Sequence, residues 1–188
     1  MSRLRSKNIN TREYWNKRYF FLKHNVPPVA SVKLFFEYDL LPKNEEYSVL
    51  EIGCGVATHY PYFNKNYPKI KLTGLDISNF AIAYNQRYKF ANFIELDVNT
   101  EDIKGEWDYV ISAHTFEHLD DPVKTVEKCR QVAKKKVIVC VPYENYWNYD
   151  HEHIHRFSKK EPFKNYEKCF VDTDTHKGIY YVFDGYLK

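Results

Sequence analysis

The amino-acid sequence predicts an α/β protein whose doubly wound, mostly parallel sheet ends in an antiparallel hairpin. Between residues 47 and 141, short apolar runs typical of buried parallel strands alternate with segments of helical periodicity. Strands that alternate with helices in this way form a parallel sheet with helices on both faces. Two further runs, 166–172 and 178–187, are rich in aromatic and β-branched residues and predict the closing hairpin.

Two helices are predicted before the sheet begins. The first spans residues 11–24 and is ended by the segment Asn25-Val-Pro-Pro28. The second spans residues 30–41 and ends at Pro42, which cannot continue a helix.

The elements of the core are predicted from where the apolar runs and helical stripes begin and end. Predicted strands lie at 47–52, 70–75, 92–96, 107–113 and 136–141, and predicted helices lie around 57–66, at 79–89 and at 122–134. The sequence predicts the start of the last helix at Asp121 and Pro122. Asp121 offers a carboxylate that can cap the helix, and Pro122 would stand at the first helical position, where a backbone N–H has no partner within the helix. Val123, Val126 and Cys129 then recur on one face, which predicts a core-facing stripe.

The most informative motif is Glu51-Ile-Gly-Cys-Gly55, at the end of the first predicted strand. Its glycines leave the backbone of a turn bare, so that a ligand can approach it closely. Asp76 ends the next predicted strand about 20 residues later, the spacing that places a carboxylate against a ribose diol. Thr58 stands where a third glycine would complete the dinucleotide fingerprint, and no Gly-Lys-Ser/Thr follows. The motif therefore predicts a nucleoside site with no clear pyrophosphate cradle.

Four motifs together resemble class I S-adenosylmethionine-dependent methyltransferases in both order and spacing. They are Glu51–Gly55, Gly74–Ser78, Leu96-Asp97 and Trp107–Pro122. The resemblance runs from about Tyr14 to at least Phe157, and it is to the small-molecule, type 11/23-like members. It implies a Rossmann-like fold with a seven-stranded, mostly parallel sheet and an antiparallel C-terminal strand. It also implies S-adenosyl-L-methionine as cofactor, with residues 1–42 forming a helical cap over its site and residues 47–188 forming the core.

The resemblance further implies how the cofactor binds beyond the carboxyl ends of the strands. The Gly53–Gly55 backbone would lie along the methionine part, with Glu51 supporting the loop. Asp76 would accept from both ribose hydroxyls, and Asp97 would accept from the adenine amino group. An alternative for Asp97 is a structural role as a turn or capping residue. The residues expected at the cofactor are Tyr14, Glu51, Gly53, Cys54, Gly55, Asp76, Ile77, Asp97, Val98, His114 and Phe116.

Two histidine clusters follow the fourth and fifth predicted strands, at His114–His118 and Tyr149–Phe157. By resemblance, the loop after the fifth strand opens on the same crevice and carries substrate contacts. In one interpretation its histidines act as a general base or orient the acceptor, which suits a side chain with a pKa near neutrality. The candidates for this catalytic role are His118, His151, His153 and His155.

Two other interpretations of these clusters stay open. In one, they hold a divalent metal, because histidine and carboxylate spaced along a turn give plausible ligand geometry. The metal ligands would then be Glu117 and His118 with His114 and one of His151 or His153. This pattern resembles metal-dependent small-RNA 2′-O-methyltransferases, although His114 stands where their Glu-x-x-Glu-His segment has its first glutamate. In the other interpretation the clusters are structural, and the first of them caps the following helix.

Composition excludes several classes of protein. The net charge of +3 is mild for a nucleic-acid binder, and Lys134-Lys-Lys136 stands at a predicted helix end, where cations complement the dipole. No apolar run is long enough to cross a bilayer, and the N-terminus lacks the apolar core of a signal peptide. The four cysteines are scattered singly, which fits a reducing compartment. At 188 residues we expect one cytoplasmic domain with no membrane partner.

The leading hypothesis is therefore a methyltransferase acting on a small molecule at oxygen, with nucleic acid not expected as a partner. One alternative is a metal-dependent RNA 2′-O-methyltransferase, and another is a non-catalytic cofactor-binding subunit that supports a partner. The sequence leaves the acceptor and the oligomeric state undetermined.

Overall fold

The computed structural model describes residues 9–23, 30–143, 152–157, 162–172 and 178–187. The α-helices are α1 (Arg12–Leu22), α2 (Ala30–Glu37), α3 (Tyr60–Asn66), α4 (Asn79–Asn85) and α5 (Pro122–Val132), and Phe116–His118 form a turn of 3₁₀ helix. The strands are β1 (Tyr47–Ile52), β2 (Ile70–Asp76), β3 (Ala91–Glu95), β4 (Trp107–Ala113), β5 (Ala133–Pro142), β6 (Lys168–Asp172) and β7 (Gly178–Asp184).

The strands form one seven-stranded sheet in the order β3-β2-β1-β4-β5-β7-β6. Neighbouring strands from β3 to β5 run parallel, whereas β7 pairs antiparallel with both β5 and β6. The chain winds outward in opposite directions from β1 and β4, so the carboxyl ends of these two strands open a crevice. The fold class predicted from the sequence is confirmed, including the antiparallel C-terminal strand.

Alternate residues of each strand pack on opposite faces of the sheet. In β1, Val49 contributes to one core cluster and Leu50 to the other. Phe35 and Phe36 of α2 belong to the first cluster, and Phe36 stacks on Tyr67 with ring centroids 3.7 Å apart. Of the two N-terminal helices, α2 thus covers a face of the sheet.

The other N-terminal helix, α1, has no buried residue and is held by polar contacts. The Asn16 side-chain carbonyl accepts from the Ser78 hydroxyl at 2.7 Å and from the Phe80 N–H at 3.2 Å, at the start of α4. Arg12 forms an ion pair with Glu95 at the end of β3. These contacts place α1 across the carboxyl ends of β2 and β3, beside the crevice.

Most predicted elements lie near their predicted bounds, but α2 and α4 each end four residues earlier than predicted, at Glu37 and Asn85. The predicted core-facing stripe of α5 is buried only in part. Val126 and Cys129 are buried, but Val123 is 43% exposed. Three residues advance a helix by less than one turn, so a strict i, i+3 series drifts about 60° per step away from the buried face. Within the described residues, no helix has the length and apolar character needed to cross a bilayer.

Candidate functional site

A cavity opens at the carboxyl ends of β1, β2 and β4. The cavity is lined by Asn10, Trp15, Tyr19, Ile52, Gly53, Leu75, Asp76, Ile77, Leu96, Asp97, Val98, Asn99, His114, Thr115, His118 and Leu119. It lies at the strand ends where the sequence predicts the ligand.

The turn after β1 depends on two glycines with positive φ. Gly53 has a φ of 73° and Gly55 a φ of 51°, a conformation that residues with a side chain rarely adopt. A Cβ on Gly53 would lie 2.1 Å from the Thr115 hydroxyl, and one on Gly55 would lie 3.0 Å from the Tyr19 hydroxyl. The side chains of Thr115 and Tyr19 thus occupy the space that a Cβ at these two positions would need.

Asp76, at the end of β2, is 4% exposed and lines the cavity. Its carboxylate oxygens accept from the Gly55 N–H at 2.8 Å and from the Ser78 N–H at 2.9 Å. Burial raises the pKa of Asp76 to about 6, although the two backbone hydrogen bonds act in the opposite direction. Because each carboxylate oxygen can accept a second hydrogen bond, Asp76 can hold the glycine turn and also bind a ligand.

Glu51 and Cys54 lie behind this turn. Glu51 is 3% exposed, and its Oε2 lies 2.8 Å from Nε2 of His59. The Asn85 amide donates to the Gly55 carbonyl at 2.7 Å, and burial raises the pKa of the Cys54 thiol. Glu51 thus lies where a support of the turn is predicted, and Cys54 is a buried neutral thiol in the core.

The segment after β3 places Asp97 and Val98 on the cavity wall, and Ile77, which follows β2, lies there too. Oδ1 of Asp97 accepts from the Asn99 N–H at 2.9 Å, so this carboxylate also shapes the turn that follows β3. The position is compatible with both predicted roles of Asp97, as an acceptor for a ligand and as a turn residue.

Helix α1 contributes Trp15 and Tyr19 to the cavity. Their rings stack with centroids 5.5 Å apart, and Trp15 makes an edge contact with His118 at 5.1 Å. Tyr14 is predicted from its sequence position to contact the cofactor, but its hydroxyl instead donates a hydrogen bond to the Glu152 carboxylate. The i, i+4 spacing of Trp15 and Tyr19 is the signal that could have identified them as a shared surface of the helix.

Two other predicted cofactor residues differ in their surroundings. Phe116 is fully buried and packs against Phe163, with centroids 6.1 Å apart, so it belongs to the core. His114 lines the cavity and has a φ of 56°, which is uncommon for a residue other than glycine. Tyr19, whose aromatic face is a candidate from sequence for contact with the sulfonium of the cofactor, lines the cavity. Cavity residues not assigned to the cofactor from sequence are Asn10, Trp15, Ile52, Leu75, Leu96, Asn99, Thr115, His118 and Leu119.

Beside the cavity, one buried glutamate is surrounded by histidines from both predicted clusters. Glu117 has a side chain that is 1% exposed, and its Oε1 lies 3.6 Å from Nδ1 of His114. Nε2 of His118 lies 3.9 Å from the same oxygen, and Nε2 of His153 lies 4.0 Å from it. Burial lowers the pKa of His118 below its ordinary value, so its ring is neutral near neutral pH. We call Glu117, His118 and His153 the histidine–glutamate cluster.

The segment 152–157 is docked on the 3₁₀ turn by its backbone. The N–H groups of Ile154 and His155 donate to the Glu117 carbonyl at 2.9 and 3.2 Å. This pairing presents His153 to the cluster.

The two remaining catalytic candidates are placed differently. Nε2 of His155 lies 2.7 Å from the Leu119 carbonyl, so its ring is engaged with backbone. His151 lies outside the described residues.

Comparisons with known proteins agree with this arrangement. A family model described as a methyltransferase domain matches residues 50–138. The crystal structure of a SAM-dependent methyltransferase from Aquifex aeolicus superposes with a TM-score of 0.63 and 18% identity, over 85% of this chain and 95% of that chain. Residues 50–138 therefore match a methyltransferase domain, and the comparisons support the class I S-adenosylmethionine-dependent type. The fold of this domain is shared with the plantazolicin methyltransferase BpumL in complex with SAH, at a TM-score of 0.55 and 22% identity over 69% and 53% of the two chains.

Curated relatives of the methyltransferase domain are named for different acceptors. A ribosomal RNA small subunit methyltransferase C from Pasteurella multocida is 32% identical over 91 residues, which are 46% of this chain and 28% of the relative. A malonyl-[acyl-carrier protein] O-methyltransferase from Priestia megaterium is 28% identical over 88 residues, which are 45% of this chain and 32% of the relative. The chain thus spans about a third or less of the length of these relatives.

The cofactor of the methyltransferase domain is S-adenosylmethionine, and the cavity residues fit it. Gly53 lines the cavity, so the backbone at the start of the turn can contact a ligand. Asp76 offers a buried carboxylate suited to a diol, and the apolar side chains of Ile77 and Val98 suit the faces of an adenine ring.

Proposed function

We propose that this chain transfers the methyl group of S-adenosylmethionine to an oxygen of a small-molecule acceptor. The observation that carries the proposal is that His118 both lines the cavity and belongs to the histidine–glutamate cluster. The residues proposed to bind the nucleoside therefore line the same cavity as a group able to accept a proton. The similarity to malonyl-[acyl-carrier protein] O-methyltransferases supports oxygen as the acceptor atom.

Gly53, Asp76 and Asp97, which line the cavity, are the residues proposed to hold the cofactor. Gly55 is proposed to act from behind them, because its N–H donates to Asp76. S-adenosylmethionine supplies a methyl group on a cationic sulfur. The acceptor oxygen would bond to the methyl carbon while the electron pair of the breaking sulfur–carbon bond stays on sulfur. The chain then has to hold the acceptor in line with the methyl group and exclude water.

Exclusion of water is the role proposed for α1. Trp15 and Tyr19 lie on the cavity, and aromatic faces attract a sulfonium cation. The helix is tied to the segment that carries His153, because Glu152 accepts from Tyr14 and pairs with Nε of Arg18 at 3.2 Å. In this position, α1 would therefore stabilise both the cofactor side of the site and the segment that carries His153.

The histidine–glutamate cluster is proposed to orient the acceptor oxygen. A hydroxyl acceptor must lose its proton before or during transfer, and imidazole and carboxylate groups serve this purpose near neutral pH. His118 and His153 are the candidates among the described residues. His155 is proposed to support the segment, since its ring is already bonded to the Leu119 carbonyl.

A transfer assay tests this function. The full chain is incubated with methyl-labelled S-adenosylmethionine and, separately, with the small-molecule and RNA fractions of the source cell. We expect label in a small molecule, on oxygen, and loss of transfer in the Asp76→Asn variant. Tight binding of S-adenosylhomocysteine with no transfer to either fraction would instead indicate a non-catalytic cofactor-binding subunit.

RNA 2′-O-methylation is the second candidate. The similarity to a ribosomal RNA methyltransferase favours it, as does a cluster of histidine and carboxylate next to the cavity. Label that appears in the RNA fraction and is released by ribonuclease would select this function over the first.

A further inference from the structure

The side chain of Glu117 is buried, and within the part of the chain that the structure describes no hydrogen-bond donor reaches its carboxylate. It is 1% exposed, and neither of its oxygens has a hydrogen-bond partner among the described residues. An ionised carboxylate left in this state costs several kcal/mol. The surrounding imidazole nitrogens, at 3.6–4.0 Å, lie beyond hydrogen-bond distance. The site therefore calls for a compensating cation between these groups.

The spacing of the cluster suits a metal ion. The ligand-capable atoms of Glu117, His118 and His153 all lie within 4.8 Å of one another. Two ligands at about 2.1 Å from a tetrahedral ion are about 3.4 Å apart. Small rotations of the two imidazole rings, moving each nitrogen by about 0.5–1 Å, would close this set around an ion.

The tautomer of His118 is fixed by its outer contact. Its Nδ1 lies 3.1 Å from the Glu152 carbonyl, which can only accept. Nδ1 must therefore carry the proton, and the lone pair of Nε2 is left for the cluster. Metal-binding histidines in proteins are commonly oriented by such a hydrogen bond to a backbone carbonyl. The same carbonyl accepts from the Asn10 amide at 2.9 Å, which holds it in place.

We propose that Glu117, His118 and His153 bind a divalent first-row metal ion such as Zn²⁺, with an open coordination position towards the cavity. Two imidazoles and one carboxylate are the donor set of three-ligand zinc sites, in which water or substrate takes the fourth position. His118 lines the cavity, so an acceptor oxygen can reach that position.

A metal ion here would change how the acceptor is activated. A hydroxyl bound to a divalent ion has a lowered pKa, so its proton leaves to water and the oxygen attacks as an alkoxide. The metal site goes beyond the proposed function, because its occupancy depends neither on the acceptor nor on methyl transfer.

A Co²⁺ titration of the full chain, treated first with chelator, tests the site. We expect one Co²⁺ per chain, with visible absorption bands of a protein-bound ion, and displacement of Co²⁺ by Zn²⁺. Zn²⁺ should also raise the unfolding temperature, since a ligand that binds the folded state stabilises it.

Three variants show whether the ion uses these residues. Glu117→Gln keeps the shape of the buried side chain, and His153→Ala truncates a ring at the edge of the cluster, so circular dichroism should show both to be folded. Each should weaken Co²⁺ binding at least tenfold and remove the stabilisation by Zn²⁺. His155→Gln is the matched control, because its ring faces the Leu119 carbonyl, and it should bind Co²⁺ within threefold of the wild type.

Absence of Co²⁺ binding, or equal binding by Glu117→Gln and the wild type, would overturn the proposal. Binding that is unchanged in His153→Ala would overturn the assigned ligands. Calorimetry with S-adenosylhomocysteine on the same samples measures cofactor binding separately, so failure of the metal site is distinguishable from failure of the methyltransferase function.

Discussion

Lowering the pH from 7.5 to 5 should weaken the binding of S-adenosylhomocysteine about tenfold, because Asp76 becomes protonated. Burial raises the pKa of this carboxyl to about 6. A carboxylate accepts hydrogen bonds from a ribose diol through both oxygens, and protonation converts one of them to a donor. With this pKa, the ionised fraction falls from about 97% to about 9%, a loss of about 1.4 kcal/mol in binding free energy.

The stability of the ligand-free chain should depend on Asp76 in the opposite direction. Its pKa in the folded chain, about 6, lies above the ordinary value of 3.8. The contribution of the neutral carboxyl to the free energy of unfolding is therefore fully present when the pH is below 3.8, and it is lost as the pH rises through about 6. The difference in pKa corresponds to about 3 kcal/mol. Bound ligand should reverse this dependence, since it favours the charged form.

Calorimetric titrations with S-adenosylhomocysteine at pH 5, 6 and 7.5 measure this effect. Asp76→Asn should bind at least tenfold more weakly at pH 7.5, since a hydrogen bond to a charged group contributes about 1.5–3 kcal/mol, and should lose the pH dependence. Asp108→Asn is the matched control. Asp108 also accepts backbone and hydroxyl hydrogen bonds, from Ser48 at 2.8 and 2.9 Å, but at the opposite end of the sheet. An Asp76→Asn variant that keeps the wild-type pH dependence would refute the reasoning.

Three further changes test the site. Gly53→Ala should weaken S-adenosylhomocysteine binding more than tenfold, because its Cβ would lie 2.1 Å from the Thr115 hydroxyl; unchanged affinity in calorimetry would contradict this. Trp15→Ala should weaken the same binding by about 1–2 kcal/mol through loss of an aromatic wall, whereas Phe21→Ala, which is 68% exposed on the same helix, should not. His153→Ala should reduce methyl transfer to the acceptor while leaving cofactor affinity within threefold; equal turnover by variant and wild type would exclude the role proposed for it.

Local sequence patterns were sufficient to predict most of the fold. β1 and β4 lie at the predicted residues 47–52 and 107–113, because a short apolar run buried on both faces is readable from composition alone. The cavity position followed from the same patterns, since the residues that end parallel strands must meet at one edge of the sheet. Asp76 and Asp97 were placed on its wall for this reason.

Contacts between distant segments could not be predicted in this way. The pattern of α1 did not distinguish Tyr14 from Trp15, because the choice depends on Glu152, which lies 138 residues further along the chain from Tyr14. The sequence predicts residues 1–42 as one helical cap. In the structure, Phe35 of α2 contacts Tyr180 of β7, and Phe36 stacks on Tyr67 after α3.

By itself, the sequence determined the order of strands and helices, the glycine turn and the acidic residues at the strand ends. These depend on periodicity and on neighbours within a few residues. Only the tertiary structure decided that His153 lies near Glu117. The segment that carries His153 is held there by the hydrogen bond between His118 and the Glu152 carbonyl, which joins residues 34 positions apart in sequence. Side-chain orientation and burial across such distances are set by packing, and packing is not encoded in any local pattern.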